Sequence, residues 1–501
     1  MNSTPHMHPL PAQLDVLIIG AGISGVGAAC HLQQQCPDKR FALVEAQASF
    51  GGTWRTHRYP GTRSDSDLFT FGYRFKPWRG DPIATAEQIL KYMDEVIEEH
   101  HLSERIHYSH RVLSARWSSP EACWHVEIQH TPSEGEPVIR QVRCNFLWMC
   151  QGYYRHAQGY TPEWPGMSDF AGRIVHPQQW PKDMDLTGQR VVVIGSGATA
   201  ATLVPSLAGT CQHVTMLQRS PTWFATGRNA NDLADTLRAL DIPHEWTHEI
   251  VRRKVLHDQA LIQQRCVQDP DAVATELLAG VREALGSEHA HLADLHFKPS
   301  YRPWQQRLAF VPNGDLFKAV RNNQASVVTG QIDRFVPDGI RLSNGDIVQA
   351  DVIVTATGFN LNVLGDIDFQ VDGQPLDFAR SVTWRGAMFT GLPNLVWVFG
   401  YFRASWTLRA DLLGDFVCKL LNHMDSQGVR SVVPQLRPED QGMSLAPWVR
   451  SDNFNPGYLA RSMHQLPQQG DRAPWVHLQD YRKEKDDLPV APLDDGSLIF
   501  N

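Results

Sequence analysis

Residues 14–25 read LDVLIIGAGISG, and this stretch decides the fold. Leu14 to Ile19 is a short apolar run rich in β-branched residues, of the kind a buried parallel strand needs. Gly20-Ala21-Gly22-Ile23-Ser24-Gly25 follows, and then a helical stretch from Val26 to Gln35. Strand, tight turn and helix in that order is the context in which GxGxxG carries meaning. The first glycine makes the turn, the second lets backbone approach a pyrophosphate, and the third lets helix pack on strand. The helix N-terminus then offers N–H groups and a positive dipole to phosphates. A second strand, Arg40 to Val44, ends at Glu45, twenty residues beyond Gly25. An acid there accepts hydrogen bonds from ribose hydroxyls and repels a 2′-phosphate. This loop reads as a site for FAD or NAD.

The same device returns at residues 190–200, RVVVIGSGATA. The strand Arg190 to Ile194 leads into Gly195-Ser196-Gly197-Ala198-Thr199-Ala200, with alanine accepted at the third position. The next strand, His213 to Leu217, runs into Gln218-Arg219-Ser220, and no acid stands where Glu45 stood. Arg219 takes that place, where a guanidinium can grip a 2′-phosphate, so the second nucleotide reads as NADPH. An exposed arginine without a ligand is the plainer alternative. Two loops of opposite ribose chemistry predict two Rossmann-like domains in an α/β chain. Asp351 to Thr355, running into Ala356-Thr357-Gly358, reads as the return strand of the second, and Phe146 to Gly152 plays that part for the first.

Composition bounds the rest. At 501 residues the chain is long enough for two to four domains with their own cores. With a net charge of −8 and no Lys/Arg block, a nucleic-acid footprint is not expected. The eight cysteines show no CxxC pair, which argues against a disulfide framework, a zinc ribbon or a redox dithiol and fits a reducing cytoplasm. Residues 1–13 carry no Lys, Arg or apolar run and read as a loose tail, not a signal peptide. Leu14 to Leu32 is studded with glycine and holds Asp15 and His31, so it reads as strand and helix, not a membrane span.

Two longer strings carry a resemblance. Phe170-Ala-Gly172-Arg-Ile-Val-His176-Pro-Gln-Gln-Trp180-Pro181 resembles the FxGxxxHxxxW fingerprint of Baeyer–Villiger monooxygenases, within the class B flavoprotein monooxygenases. Flavin-containing N- and S-oxygenases are similar but tend to carry Tyr or Phe where Trp180 stands. Gly51-Gly52-Thr53-Trp54, then Tyr59-Pro60-Gly61 and Asp65, fit the same family's GGxW…[FY]PG…D pattern. The likeness runs from Leu14 to about Tyr481 and is greatest to the ethionamide-activating subgroup.

The resemblance implies an FAD domain split between residues 1–155 and 361–501, the latter including a C-terminal tail. It implies an NADPH domain at 156–220 and 301–360, interrupted by a helical insertion at 221–300. Residues 231–285, rich in helix formers, suit that insertion. The implied activity is NADPH-driven insertion of one oxygen atom of O2 into a ketone to give an ester or lactone, with sulfides as further substrates. Gly20, Gly22, Ile23, Ser24, Gly25, Glu45, Gly52, Thr53, Trp54 and Asp65 are the implied FAD contacts. Gly195 through Ala200, Arg219, Ser220 and Gln306 are those for NADPH. Arg307 resembles the family's active-site arginine and Asp65 the carboxylate that orients it. A structural salt bridge and a loop-capping aspartate are the alternatives. His176 and Trp180 are implied to couple domain movement to catalysis, and Phe170, Gly172 and Pro181 complete the linker fingerprint. Ser405 and Trp406 are implied to set a helix N-terminus near the flavin. Among the departures, Gln306 replaces the usual Lys, Ser64 a frequent Cys, and Cys150-Gln151-Gly152 the usual Ala-Thr-Gly.

Other classes are weighed against this. His244-Glu245-Trp246-Thr247-His248 matches HExxH, which on its own suggests a zinc protease, but the remaining fingerprints need no metal. A disulfide reductase requires a dithiol that the chain lacks. A nucleotide sensor does not need Arg307 or the Trp54–Asp65 string. A heteroatom oxygenase is the nearest rival. A monomer or homodimer in the cytoplasm is expected.

Overall fold

In the computed structural model, residues 9–450 and 454–501 are described. β1 (Gln13–Ile19) is buried on both faces, which its apolar run allows. It runs parallel to β2 (Phe41–Val44), with α1 (Ile23–Gln35) crossing between them. The expected N-terminal tail is shorter than the sequence suggests: Leu10 is buried and Gln13 already pairs with the sheet, while residues 1–8 lie outside the described residues. The sheet continues through β3 (Ile106–His107) and an antiparallel meander of β4 (His110–Ser118), β5 (Cys123–His130) and β6 (Val138–Met149). β6 closes the circuit by running parallel to β1.

The chain leaves by β7 (Tyr154–Gly159) and builds a second, five-stranded sheet. It comprises β8 (Arg173–Val175), β9 (Arg190–Ile194), β10 (His213–Gln218), β11 (Ala325–Thr329) and β12 (Val352–Thr355), all parallel. α2 (Ala198–Leu207) follows β9 as α1 follows β1. Between β10 and β11 two long helices intervene, α3 (His244–Gln268) and α4 (Pro270–His289). They do not float free of the first sheet. Arg252 on α3 is buried and donates to the carbonyls of Phe69, Thr70 and Gly72. β13 (Phe359–Leu361) then pairs antiparallel with β7, so two adjacent strands carry the chain out to the second sheet and back.

On its return the chain adds three strands to the first sheet, Asp368–Val371 beside β4, Gln374–Pro375 antiparallel to that strand, and Leu395–Trp397 beside β6. α5 (Trp406–Gln427) packs on α1. At their contact His31 is buried against Asp411 at 3.3 Å and Asp415 at 3.3 Å. All eight cysteines are buried free thiols. Among the described residues no helix is long and apolar enough to cross a membrane.

Candidate active site

The two sheets open onto one cleft of about 820 Å³, which the glycine loop after β1 and the start of α2 both line. Its first end is fixed by Gly20. This residue has φ +105°, and a Cβ there would stand 2.7 Å from the Cys150 carbonyl oxygen. Backbone alone fits against the Cys150 loop, which permits the tight turn that brings Gly22 to the cleft. Glu45, at the end of β2, is pinned by the Ala21 N–H at 2.9 Å and the Gln47 N–H at 2.9 Å. Burial pushes its pKa up, while those backbone N–H groups pull the other way. Each carboxylate oxygen keeps acceptor capacity towards the cleft. Gly52, Thr53 and Trp54 form a short helical turn at the rim, with the Trp54 ring set edge-on to Phe71 at 5.6 Å.

At the second end, Gly197, Ala198 and Thr199 line the same cleft at the N-terminus of α2. Ser196 Oγ bonds to the Ser220 carbonyl at 3.1 Å and to Thr222 Oγ1 at 2.8 Å, closing the loop after β9 onto the end of β10. Arg219 and Ser220 are exposed just beyond β10, and Gln306 is half-buried. The cleft lining includes neither Ser196 nor Arg219, so the 2′-phosphate contact expected from the sequence lies outside it.

Between the two ends stands an ion pair. Arg307 Nε donates to Asp65 Oδ2 at 2.7 Å and its Nη2 to Asp65 Oδ1 at 2.7 Å. The Asp65 charge is the main cause that holds the guanidinium protonated. Arg307 is 40% exposed and Asp65 24%, but both line the cleft, so what they face is an interior surface. The Tyr59-Pro60-Gly61 turn explains how Asp65 arrives there. Gly61 has φ +75°, and a Cβ would fall 1.8 Å from Ser206 Oγ on α2. The turn therefore lies flat on α2, with the buried Tyr59 lining the cleft beside Thr199.

Several groups that sequence reasoning did not single out complete the site. Tyr153 and Tyr154 share a hydrogen bond of 2.6 Å beside Arg307, Tyr458 stands close by, and Tyr153 stacks on Trp406 at 5.2 Å. Trp406 in turn donates to Ser24 Oγ at 2.7 Å, and its neighbour Ser405 bonds to Thr70 at 2.7 Å. A doubled tyrosine after the Gly152 turn was the visible signal; Tyr458 had none. His57 is buried in the cleft wall, and burial, aided by His156 and His176, lowers its pKa to about 4.

The linker residues gather elsewhere. Phe170 is buried in a small core with Phe335, and Trp180 packs at the edge of the second sheet's core. Gly172 and Pro181 flank β8 and the turn after it. His176 accepts from the Gln178 N–H at Nδ1 and therefore donates from Nε2 to the Gly358 carbonyl at 3.2 Å. The HExxH string does not bring its histidines together with a third donor. His244 is exposed, whereas His248 is buried on Phe69 and accepts from the Trp78 N–H at 3.1 Å.

These features suit a dinucleotide. A Cβ on Gly22 would stand in the cleft, 3.7 Å from the Gly52 Cα, and the loop ends against an anchored carboxylate. Both amide atoms of Gln151 and the Nε2 of His57 line the cleft buried and without a hydrogen-bond partner among the described residues. Buried polar atoms of that kind call for a polar ligand.

Two Rossmann-like sheets, each opening with a glycine loop onto a shared cleft, define a protein of the two-dinucleotide α/β class. Residues 18–80 match the NAD(P)-binding Rossmann-like domain, and residues 81–233 match the flavin-binding monooxygenase-like family. The chain is 43% identical over 489 residues to the FAD-containing monooxygenase EthA of Mycobacterium tuberculosis H37Rv, covering 97% of each chain. It is 41% identical to the probable FAD-binding monooxygenase AlmA of Acinetobacter baylyi, covering 97% of this chain and 96% of that one. The solved structure of oxidized steroid monooxygenase bound to NADP superposes with a TM-score of 0.75 at 21% identity, over 97% of this chain and 99% of that one. The chain belongs to the flavin-binding monooxygenase family.

Proposed function

We propose that the protein is an FAD- and NADPH-dependent monooxygenase that inserts one oxygen atom of O2 into ketones, giving esters or lactones, and also oxidises sulfides. The observation that carries this reading is the Asp65–Arg307 pair, set in the cleft between the two glycine loops. FAD lies at Gly20, Gly22, Ile23, Ser24, Gly25, Glu45, Gly52, Thr53 and Trp54, and NADPH at Gly195 to Ala200, Arg219, Ser220 and Gln306. Residues 1–155 and 361–501 serve the flavin, 156–220 and 301–360 the nicotinamide nucleotide, and 221–300 form the insertion.

When bound, the flavin reduced by NADPH supplies activated oxygen. The protein's own part is electrostatic. Oxygen attack on a carbonyl builds negative charge on oxygen, and Arg307 offers a fixed cation for it. Asp65 takes two of the five guanidinium N–H donors and so fixes the direction of the others. Tyr153, Tyr154, Tyr458 and Trp406 wall off bulk water, which strengthens that field. Glu45 orients the ribose, and the start of α2 holds the second pyrophosphate.

The test is to purify the yellow holoenzyme and follow NADPH oxidation against a panel of ketones and sulfides under isotopically labelled O2. Esters or lactones carrying one labelled atom are expected. Sulfoxides alone, with every ketone unchanged, would transfer the protein to the heteroatom oxygenases.

A further inference from the structure

β4 runs from the cleft, which His110, Arg111 and Val112 line, out to the turn before β5. At that outer end a second chemistry is assembled. Glu121 stands in the turn, Cys123 opens β5, and His125 follows two residues on. Alternation along a strand puts 123 and 125 on one face, and the turn folds Glu121 back over it. Cys123 Sγ lies 3.7 Å from His125 Nε2 and 4.0 Å from Glu121 Oε2, and His125 Nε2 lies 3.4 Å from the same carboxylate oxygen. A tetrahedral zinc ion, bonded at about 2.3 Å to sulfur and about 2.0–2.2 Å to nitrogen and oxygen, sets its ligand atoms roughly 3.3–3.6 Å apart. The three atoms are thus within a few tenths of an ångström of a ligand triangle. Among the described residues no other three His, Cys, Asp or Glu donors converge in this way.

A cation is already drawn to the place. Arg143, paired opposite His125 on β6, hydrogen-bonds to Glu121 Oε2 and reaches Cys123 Sγ at 3.7 Å. Its side chain is 53% exposed, so it can swing into solvent when a smaller, denser charge replaces it. We propose that Glu121, Cys123 and His125 form a binding site for a borderline-soft divalent cation, zinc foremost, with water as the fourth ligand. Sulfur and imidazole select zinc over magnesium or calcium. Binding converts the thiol to a metal thiolate, releases one proton to solvent and frees Arg143 from its two partners. None of these residues lines the cleft that holds the Asp65–Arg307 pair. Its effect is to fasten the β4–β5 turn and not to enter the reaction.

The experiment uses tag-free holoenzyme stripped with a chelator and titrated with zinc alone against a chromophoric competitor. One equivalent is expected, with affinity weakened more than about tenfold in Cys123→Ser and in His125→Ala. Arg143→Gln should tighten binding, because it removes the competing cation. Flavin content and NADPH oxidation should be unchanged in all three variants, which also reports that they fold. Cobalt should give the long-wavelength bands of a tetrahedral site, beyond the flavin absorption, and lose them in Cys123→Ser. Absence of a bound equivalent in both wild type and Arg143→Gln would overturn the proposal. So would zinc that survives Cys123→Ser and His125→Ala, or that is lost in His244→Ala.

Discussion

Arg307 and Asp65 stand 242 positions apart in the chain, yet they meet through two hydrogen bonds of 2.7 Å each. Asp65 comes from the turn that lies on α2, and Arg307 from the approach to the strand Ala309–Pro312. The pair therefore ties the loop beyond β2 to the second sheet's unit. It does so inside a cleft, where its charge is less screened than on an open surface. An arginine that only braced the fold would not need unused donors facing a cavity.

Arg307→Ala should retain FAD and still be reduced by NADPH, more slowly if the nicotinamide is less well placed. Ester formation should fall about a hundred- to a thousandfold, the usual cost of one preorganised electrostatic contact. Sulfide oxygenation, which builds less negative charge, should survive in part. Arg307→Lys should recover only a fraction, because the planar fork is lost. Single-turnover ester yield beside flavin content checks this. Near wild-type ester formation in Arg307→Ala would remove the electrostatic role, and loss of the folded holoprotein would make the pair structural.

Much of this was legible in the chain because it depends on local backbone need. Gly20 and Gly195 announce turns that side chains cannot make, whereas the close approach of Gly61 to α2 emerged only from the structure. Glu45 and Arg219 occupy fixed distances from those turns. What the sequence could not give was the cleft wall. Tyr458 reaches Tyr153 only after the chain has left the first sheet, built the second and returned, and the stacking of Trp406, expected near the flavin, on Tyr153 was likewise out of reach. The role of Arg252 was equally hidden, since its partners are three backbone carbonyls almost two hundred residues away. His248, half of a zinc motif on paper, became a packing residue because α3 turns it onto Phe69 and Trp78.

Arg219 is exposed at the end of β10, so its grip on a 2′-phosphate is screened by salt. Arg219→Ala should raise KM for NADPH about tenfold, the low end for a charge-assisted contact, and leave KM for NADH unchanged. Raising ionic strength should narrow the gap between wild type and variant. Steady-state kinetics with both nucleotides at two salt concentrations measures it. Parallel changes for NADH and NADPH would count against Arg219 as the discriminating residue.

The buried His31 should make stability depend on alkaline pH. Burial alone would lower its pKa, but hydrogen bonds and charge from Asp411 and Asp415 outweigh that and raise it to about 9. Arg74 pairs with Asp415 and Arg252 stands 3.8 Å from Asp411, so the cluster stays close to neutral. The folded state binds the proton more tightly than the unfolded chain, whose value is 6.5. Stabilisation is therefore complete below about pH 6.5 and is lost as pH rises through about 9, amounting to roughly 1–3 kcal/mol. His31→Asn should melt lower than wild type at mildly acidic pH, and the difference should close in alkali. Melting curves that stay parallel across that range would exclude the linkage.

The last prediction concerns His176 and Gly159. The His176 ring sits across the two strands that join the sheets: it donates to the Gly358 carbonyl before β13 and rests on Gly159 at the end of β7. A Cβ on Gly159 would stand 1.9 Å from the ring's Cε1, so Gly159→Ala must push the imidazole off its bond without touching either glycine loop. If the ring transmits movement of one sheet's unit to the other, both Gly159→Ala and His176→Ala should bind FAD and oxidise NADPH. A larger share of the consumed NADPH should then end as hydrogen peroxide instead of ester. Because both substitutions break one contact, the double variant should be no worse than the more impaired single one. Measuring ester and peroxide per NADPH in the four proteins decides the matter. Additive losses would place the two residues in separate roles, and unchanged coupling in His176→Ala would leave the ring a packing group between the strands.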